Sequence, residues 1–539
     1  MTVEPDPSQG TQENSSPGAL TSPYPPRRRE LESRSRSLWK RVSVEIGGLL
    51  VWLLIAAGAV AFGLGRWIVA TFGYITPDQA LLNLQGAGGE GGGGHDLVQD
   101  AVIHSVVIPL GLVLSVWVAL HIARRTFKKR GARKLIALTY AVTVVALLAV
   151  PAAGAWSLGS AVQLKQYLAA GDPSLNLADY YVEPSITNAE SAPRPNLILI
   201  YLESIENAFG DEEAFGTNML HSIQESTADW DSVEALDQYP GGGWTMSGIV
   251  STQCGIPLRA PANAGIEGTD TTDQAQPLNH VETESYLSGA TCIGDVLSRQ
   301  GYKNVFLGGA YTTFASKGQY LAEHGYDEIR GREHWEELGE TEITEAWGLS
   351  DERLFAMARE KLVELEAGDE PFVLTLLTLD THEPAHLFDY CEELADTPLT
   401  DATRCSMKVV ADFIDWVKSE GYLENTTVVV VGDHLKFTST KYSYGEEFTD
   451  YPNRTIFNRI WTPDGRQLRV SEIDQLDMFP TILEAMGFEL EDGRAGLGVS
   501  AYNPDYVFGS LRELSAEERE QMVRSRSTEF YERMWGNDS

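Results

Sequence analysis

Three long apolar runs, Ile46–Phe72, Val102–Ile122 and Leu135–Leu158, precede residue 160. Each reaches the roughly 20 residues that a helix needs to cross the hydrocarbon core of a bilayer. Only Arg66 interrupts the first, and a long cationic side chain near a helix end can reach the interface. Three such runs in succession are hard to bury in a water-soluble core. The chain is therefore expected to begin as three transmembrane helices, residues 44–160, after a basic, Pro- and Ser-rich tail, residues 1–43, too poor in apolar residues to fold alone.

The basic residues set the expected orientation. Arg27–Arg29, Arg34, Arg36, Lys40 and Arg41 precede the first run, and the link between the second and third is RRTFKKRGARK, residues 124–134. The link between the first and second, QGAGGEGGGGHD, has no Lys or Arg. Positive residues stay on the cytoplasmic side, which puts the N-terminus inside and everything beyond the third run outside. The cysteines agree by a separate route. All four, Cys254, Cys292, Cys391 and Cys405, lie beyond the apolar runs, as suits disulfides in an oxidising compartment. Four cysteines allow three pairings; the sequence neighbours, Cys254–Cys292 and Cys391–Cys405, are favoured, with four unpaired thiols as the alternative. A net charge of −36 argues against a nucleic-acid partner.

Residues 161–193 read as a juxtamembrane linker, and the pattern changes after Pro195. NLILIYL (196–202), PFVLTLLTL (371–379) and TTVVVV (426–431) are continuous apolar runs, the mark of strands buried on both faces of a parallel sheet. Helical patterns lie between them, at 350–367 and 407–420. The domain from 194 to 539 is thus expected to be α/β, with a mainly parallel sheet flanked by helices.

Functional groups in such sheets gather beyond the C-terminal strand ends. Here the three runs are followed by Glu203, by Asp380-Thr381-His382, and by Gly432-Asp433-His434. A separate stretch, GGGWTMSGIVSTQCGIP (241–257), uses three glycines and a tryptophan to present Thr245 at the start of a helix, where free N–H groups attract an anion. A hydroxyl there suits attack on a phosphorus or sulfur ester. Two carboxylates, an imidazole and the threonine oxygen make a ligand set suited to Mn²⁺ or Mg²⁺ rather than to a thiolate-type zinc site. Taken singly, each residue is as readily a strand-end hydrogen-bonding group or a helix cap; together they suggest a metal-assisted nucleophile.

Six stretches, in this order, carry a family resemblance: PNLILIYLES (195–204), GGGWTMSGIVSTQCGIPL (241–258), FLGGAYTTFASKGQYLAEHGYDE (306–328), WGLSDERLF (347–355), LLTLDTHEP (376–384) and VVVVGDH (428–434). The sequence from about Arg194 to Gly498 resembles the phosphoglycerol transferases of the sulfatase/alkaline-phosphatase superfamily, the group that includes lipoteichoic acid synthase and membrane-glucan glycerophosphotransferases. That resemblance implies an alkaline-phosphatase-like fold. It also implies a single Mn²⁺ held by Glu203, Thr245, Asp433 and His434, with Thr245 as nucleophile. His382 resembles the family's substrate or proton-transfer histidine, and Lys317 stands where the family carries a basic substrate-binding residue.

The implied reaction moves phosphoglycerol from phosphatidylglycerol, through a threonine-linked intermediate, to an envelope glycan or lipid-linked acceptor. It places the protein in a bacterial inner membrane, multi-pass, with an extracytoplasmic catalytic domain. Lipoteichoic acid synthases have more than three spans and a histidine where this chain has Gly308, so transfer of one unit is expected rather than polymerisation. Alternatives are a phosphoethanolamine transferase or phosphodiesterase of the same superfamily, or a non-catalytic sensor or scaffold. A formylglycine sulfatase is excluded: Cys254-Gly-Ile-Pro-Leu-Arg259 is one residue longer than C-x-P-x-R. No G-x-G-x-x-G follows the first strand, which excludes a dinucleotide site of that kind.

Overall fold

The computed structural model describes residues 27–80, 99–170, 175–260, 285–344, 347–395, 397–439, 443–505 and 507–536. The glycine-rich link between the first two apolar runs lies mostly outside these residues.

Three helices, α1 (Arg27–Phe72), α2 (Ile108–Lys129) and α3 (Arg133–Ala161), carry the apolar runs. Segments Glu45–Phe72, Gln99–Lys129 and Arg133–Ala161 are long and apolar enough to cross a membrane. Helix α1 begins at Arg27, inside the segment expected to be a disordered tail; no Pro or Gly occurs between Arg27 and Ile46 to stop it. Helices α1 and α3 meet at Gly58 and Gly154, where a Cβ on Gly154 would stand 2.2 Å from the Gly58 carbonyl oxygen. Small residues permit such backbone contact between membrane helices.

The domain that follows the apolar helices is built on six strands: β1 (Asn196–Leu202), β2 (Lys303–Gly308), β3 (Glu328–Arg330), β4 (Phe372–Leu377), β5 (Thr426–Gly432) and β6 (Asn458–Trp461). Their order is β3-β2-β4-β1-β5-β6, parallel throughout except for β6. The three apolar runs become the central strands, with β1 between β4 and β5. Leu197, Leu199 and Tyr201 face one core, while Ile198, Ile200 and Leu202 face the other. Burial on both faces explains why no polar alternation appears, and each fully buried aliphatic side chain is worth about 1.5–3 kcal/mol.

Helix α4 (Thr245–Cys254) and two short helices, α5 (Ile293–Arg299) and α6 (Lys317–Glu323), cover the first face. Helices α7 (Asp351–Glu366) and α8 (Pro398–Ser419) cover the second. Helix α8 starts nine residues before the 407 expected, because Thr397 caps it and Pro398 occupies its first turn. Both favoured disulfides are present: Cys254–Cys292 joins the end of α4 to the cap of α5, and Cys391–Cys405 ties the segment after β4 to α8.

Residues 175–193 are more than a tether. Leu177 is fully buried, and Val182 and Ile186 bridge to Gly496 and Leu490. The anchor itself docks on the domain. Arg259 pairs with Asp78 at 3.0 Å, Ser439 Oγ donates to the Ala70 carbonyl at 2.5 Å, and the rings of Phe72 and Phe437 lie 6.3 Å apart.

Candidate active site

Strand register brings the first part of the site together. Leu202 pairs with Gly432, so Glu203 and Asp433 leave neighbouring strand ends side by side. Asp433 Oδ1 accepts the N–H groups of Ser204 (2.7 Å) and His434 (2.8 Å). Its other oxygen, Oδ2, is buried with no hydrogen-bond partner. His434 Nε2 stands 3.7 Å from that oxygen and 3.6 Å from Glu203 Oε1. The other ring nitrogen of His434 bonds to the Leu435 carbonyl at 2.8 Å, which leaves Nε2 as the lone-pair nitrogen when the ring is neutral.

Helix α4 delivers the fourth group. Its first intrahelical bond runs from the Gly248 N–H to the Trp244 carbonyl, so the N–H groups of residues 245–247 are free of the helix ladder. The Thr245 hydroxyl donates to Glu203 Oε2 at 3.1 Å. Of the three preceding glycines, Gly241 alone takes a positive φ, +106°. Gly248 matters for space instead: a Cβ there would meet the Asp433 carbonyl oxygen at 2.0 Å. That contact is what sets the helix start against the strand end.

The two carboxyls of this group are driven in opposite directions. Burial opposes charge on Glu203, yet His382, His434 and Lys436 outweigh it and hold the carboxyl at about 2. Burial and the charge on Glu203 push Asp433 well above the carboxylate range. Burial lowers the His434 imidazole. Glu203, Asp433 and His434 offer ligand atoms all within 4.8 Å of one another, and the orphaned Asp433 oxygen is the kind of buried acceptor that a metal ion satisfies. The site fits a divalent cation bound through two carboxylates and an imidazole, with the Thr245 oxygen adjoining.

Lys317 and His382 flank this group. Lys317, the first residue of α6, is buried; desolvation brings its ammonium down to about 8 against the attraction of Glu333, Glu203 and Asp433. His382 packs against Trp347 with ring centroids 3.7 Å apart and planes inclined at 43°, and bonds through Nδ1 to the Glu383 carbonyl at 2.9 Å. Asp380, from the same strand end, turns away: it accepts the Asp351 N–H at 3.1 Å and the Tyr390 hydroxyl at 2.7 Å.

Sequence reasoning passed over three supports. Ser204, at φ +56°, donates to Glu203 Oε1 at 2.6 Å. Lys436 is buried, donating to the Thr381 carbonyl at 2.5 Å and facing Glu383 at 3.0 Å, which ties two strand-end loops together. Trp347 backs His382. Ser204 and Trp347 lay in stretches already singled out, Lys436 did not, and nothing in the sequence told any of them from an ordinary strand-end or core residue.

The family model described as Sulfatase matches residues 195–488, more than half of the chain and all of the strands and site groups above. The chain belongs to the sulfatase family. Within this family member the cysteine that follows the glycine loop, Cys254, is bonded to Cys292 and is closed to nucleophilic chemistry. The phosphoglycerol transferase I of Shigella flexneri and that of Escherichia coli O127:H6 (strain E2348/69 / EPEC) are each 29% identical to this chain over 364 residues, which is 66% of this chain and 45% of theirs. The chain thus spans about half the length of the curated relatives it matches. Among solved structures, the lipoteichoic acid synthase LtaP from Listeria monocytogenes is similar at 15% identity and a TM-score of 0.45, covering 66% of this chain and 96% of that one.

Proposed function

We propose that this sulfatase-family chain is a membrane-anchored phosphoglycerol transferase that uses Thr245 as its nucleophile. The observation that carries the reading is a hydroxyl at a helix N-terminus, 3.1 Å from Glu203 in a buried Glu/Asp/His group that fits a cation. The resemblance to phosphoglycerol transferases supports phosphatidylglycerol as donor and an envelope glycan or lipid-linked acceptor. The basic clusters support an inside N-terminus and an extracytoplasmic domain in a bacterial inner membrane.

Glu203, Asp433, His434 and the Thr245 oxygen would hold Mn²⁺ or Mg²⁺. Bound there, the ion supplies positive charge that favours ionisation of the Thr245 hydroxyl and offsets phosphate charge. The chain's own residues do the rest. Lys317, with the free N–H groups of α4, holds the phosphate anion. Thr245 Oγ1 forms a bond to phosphorus as the bond to the diacylglycerol oxygen breaks. His382 gives that leaving oxygen its proton, then takes the proton of the acceptor hydroxyl that removes glycerophosphate from Thr245.

The test uses the intact chain in detergent with Mn²⁺ and phosphatidylglycerol, comparing wild type with Thr245→Ala by diacylglycerol release and intact-protein mass. The expected result is a glycerophosphate adduct on wild type alone and release at least about 10³-fold lower in the variant. Equal turnover by Thr245→Ala would rule out the threonine nucleophile. Turnover of phosphatidylethanolamine instead would make the protein a phosphoethanolamine transferase.

A further inference from the structure

Lys436 follows His434 by two residues, yet its side chain is only 2% exposed and crosses to the loop after β4. There Nζ donates to the Thr381 carbonyl at 2.5 Å and stands 3.0 Å from Glu383 Oε1. The ammonium thus holds the chain on both sides of His382. Glu383 Oε1 is buried and accepts no hydrogen bond among the described residues, so the charge of Lys436 is what balances it. A lysine is rarely buried without such a partner.

Glu383 holds the imidazole in turn, through its main chain. A carbonyl oxygen only accepts, so the 2.9 Å bond to His382 makes Nδ1 the protonated nitrogen of the neutral ring. Nε2 keeps its lone pair. The same carbonyl accepts the Trp347 indole N–H at 3.0 Å, and that indole packs against the His382 ring. On the other side, Thr381 Oγ1 donates to the Glu203 carbonyl at 2.6 Å. The root of the lysine is equally fixed. Its N–H donates to Glu206 Oε2 at 3.1 Å, and Arg454 donates to its carbonyl at 2.6 Å while pairing with Glu206.

We infer that Lys436 is a positioning residue for His382: by holding Thr381 and Glu383 it fixes the imidazole with Nε2 available for proton transfer. The inference rests on the acid–base role given to His382 above and adds the device that sustains it. Two buried charges serve one ring because a reacting group displaced by about 1 Å loses about 10²-fold in rate. Lys436 is also near enough to Glu203 for its charge to favour that carboxylate. A loss on removing Lys436 therefore has two routes, through His382 or through Glu203, and the test separates them.

The variants are Lys436→Met, Glu383→Gln, which keeps the main-chain carbonyl, and the two combined. The double variant leaves neither charge buried alone, so it supplies a folded comparison where a single variant does not fold. Intact chains in detergent are treated with diethyl pyrocarbonate, and modification of His382 and of the exposed His386 is followed by peptide mass spectrometry. The ratio of the His382 rate to the His386 rate should rise at least about threefold in each variant. Diacylglycerol release should lose at least about tenfold in kcat, with KM for phosphatidylglycerol within about twofold of wild type. In a His382→Gln background, Lys436→Met should change kcat by less than about twofold. An unmoved modification ratio, a loss confined to KM, or a kcat loss of equal size in the His382→Gln background would overturn the inference. The modification ratio needs no substrate, so it judges Lys436 even where wild type releases no diacylglycerol, an outcome that removes the transferase reading alone.

Discussion

Asp433 shows how much one side chain can do once its partners are fixed. One oxygen is spent on two backbone N–H groups, which leaves the other aimed into a buried space shared with Glu203 and His434. Chelation should therefore abolish turnover, and Mn²⁺ should restore it while raising the Tm by linkage. Asp433→Asn should lose that rise and need at least about tenfold more Mn²⁺ for activity. Lys317 gives a prediction of opposite character. Its folded pKa is about 8 against an ordinary 10.5, because burial disfavours its charge. Between those values the folded chain binds fewer protons than the unfolded one, so this residue's contribution to stability improves as pH rises across that window; below pH 8 its penalty is complete. Lys317→Met should accordingly raise the Tm of the chelated protein at pH 7, with the gain fading toward pH 10.5. The same variant should raise KM for the anionic donor, since the charge that costs stability is the one that holds phosphate.

Elements bring these side chains within reach through contacts that leave no room for change. Helix α4 lies so near the end of β5 that a methyl group at position 248 would overlap the Asp433 carbonyl. Gly248→Ala should cost about 1–3 kcal/mol in denaturant unfolding and should lower turnover as well, because the helix start carries Thr245. A stability loss with full activity would show that the nucleophile's position tolerates the shift. The two disulfides act at the same scale. Each fastens a functional segment to a helix, and removing Cys391–Cys405 by Cys→Ser at both positions should cost about 3 kcal/mol in the oxidised protein.

The whole molecule adds a relation between anchor and domain. Arg259 and Asp78 form a nearly dry ion pair, 12% and 9% exposed, where the segment after α1 meets the catalytic domain. Asp78→Asn leaves a buried cation without its counter-charge, a change of about 3–5 kcal/mol. The loss should appear as faster proteolysis near residues 73–80 and as a larger drop with bilayer-embedded donor than with a short-chain soluble one. Topology is testable directly: reporters fused near residue 90 should read as extracytoplasmic, and those near residue 131 as cytoplasmic.

The three central strands, the apolar helices, the favoured disulfide pairings and the metal-ligand candidates were legible in the chain because each is written locally, whereas β2, β3 and β6 were not read from it. Continuous apolar runs report burial on two faces, and parallel strands end in their functional groups, so Glu203 and Asp433-His434 could be named before any contact was known. The tertiary structure alone decided which strand-end groups converge. Asp380 and His382 are two residues apart, yet Asp380 turns toward Asp351 and Tyr390 while His382 packs against Trp347 and its charge reaches Glu203. The same holds for Ser204 and Lys436, and for the docking of residues 175–193 onto the distant segment near 490. Local sequence encodes burial and periodicity over a few residues. Whether two groups meet across the fold depends on strand order and on which backbone segments approach, and those are properties of the assembled sheet.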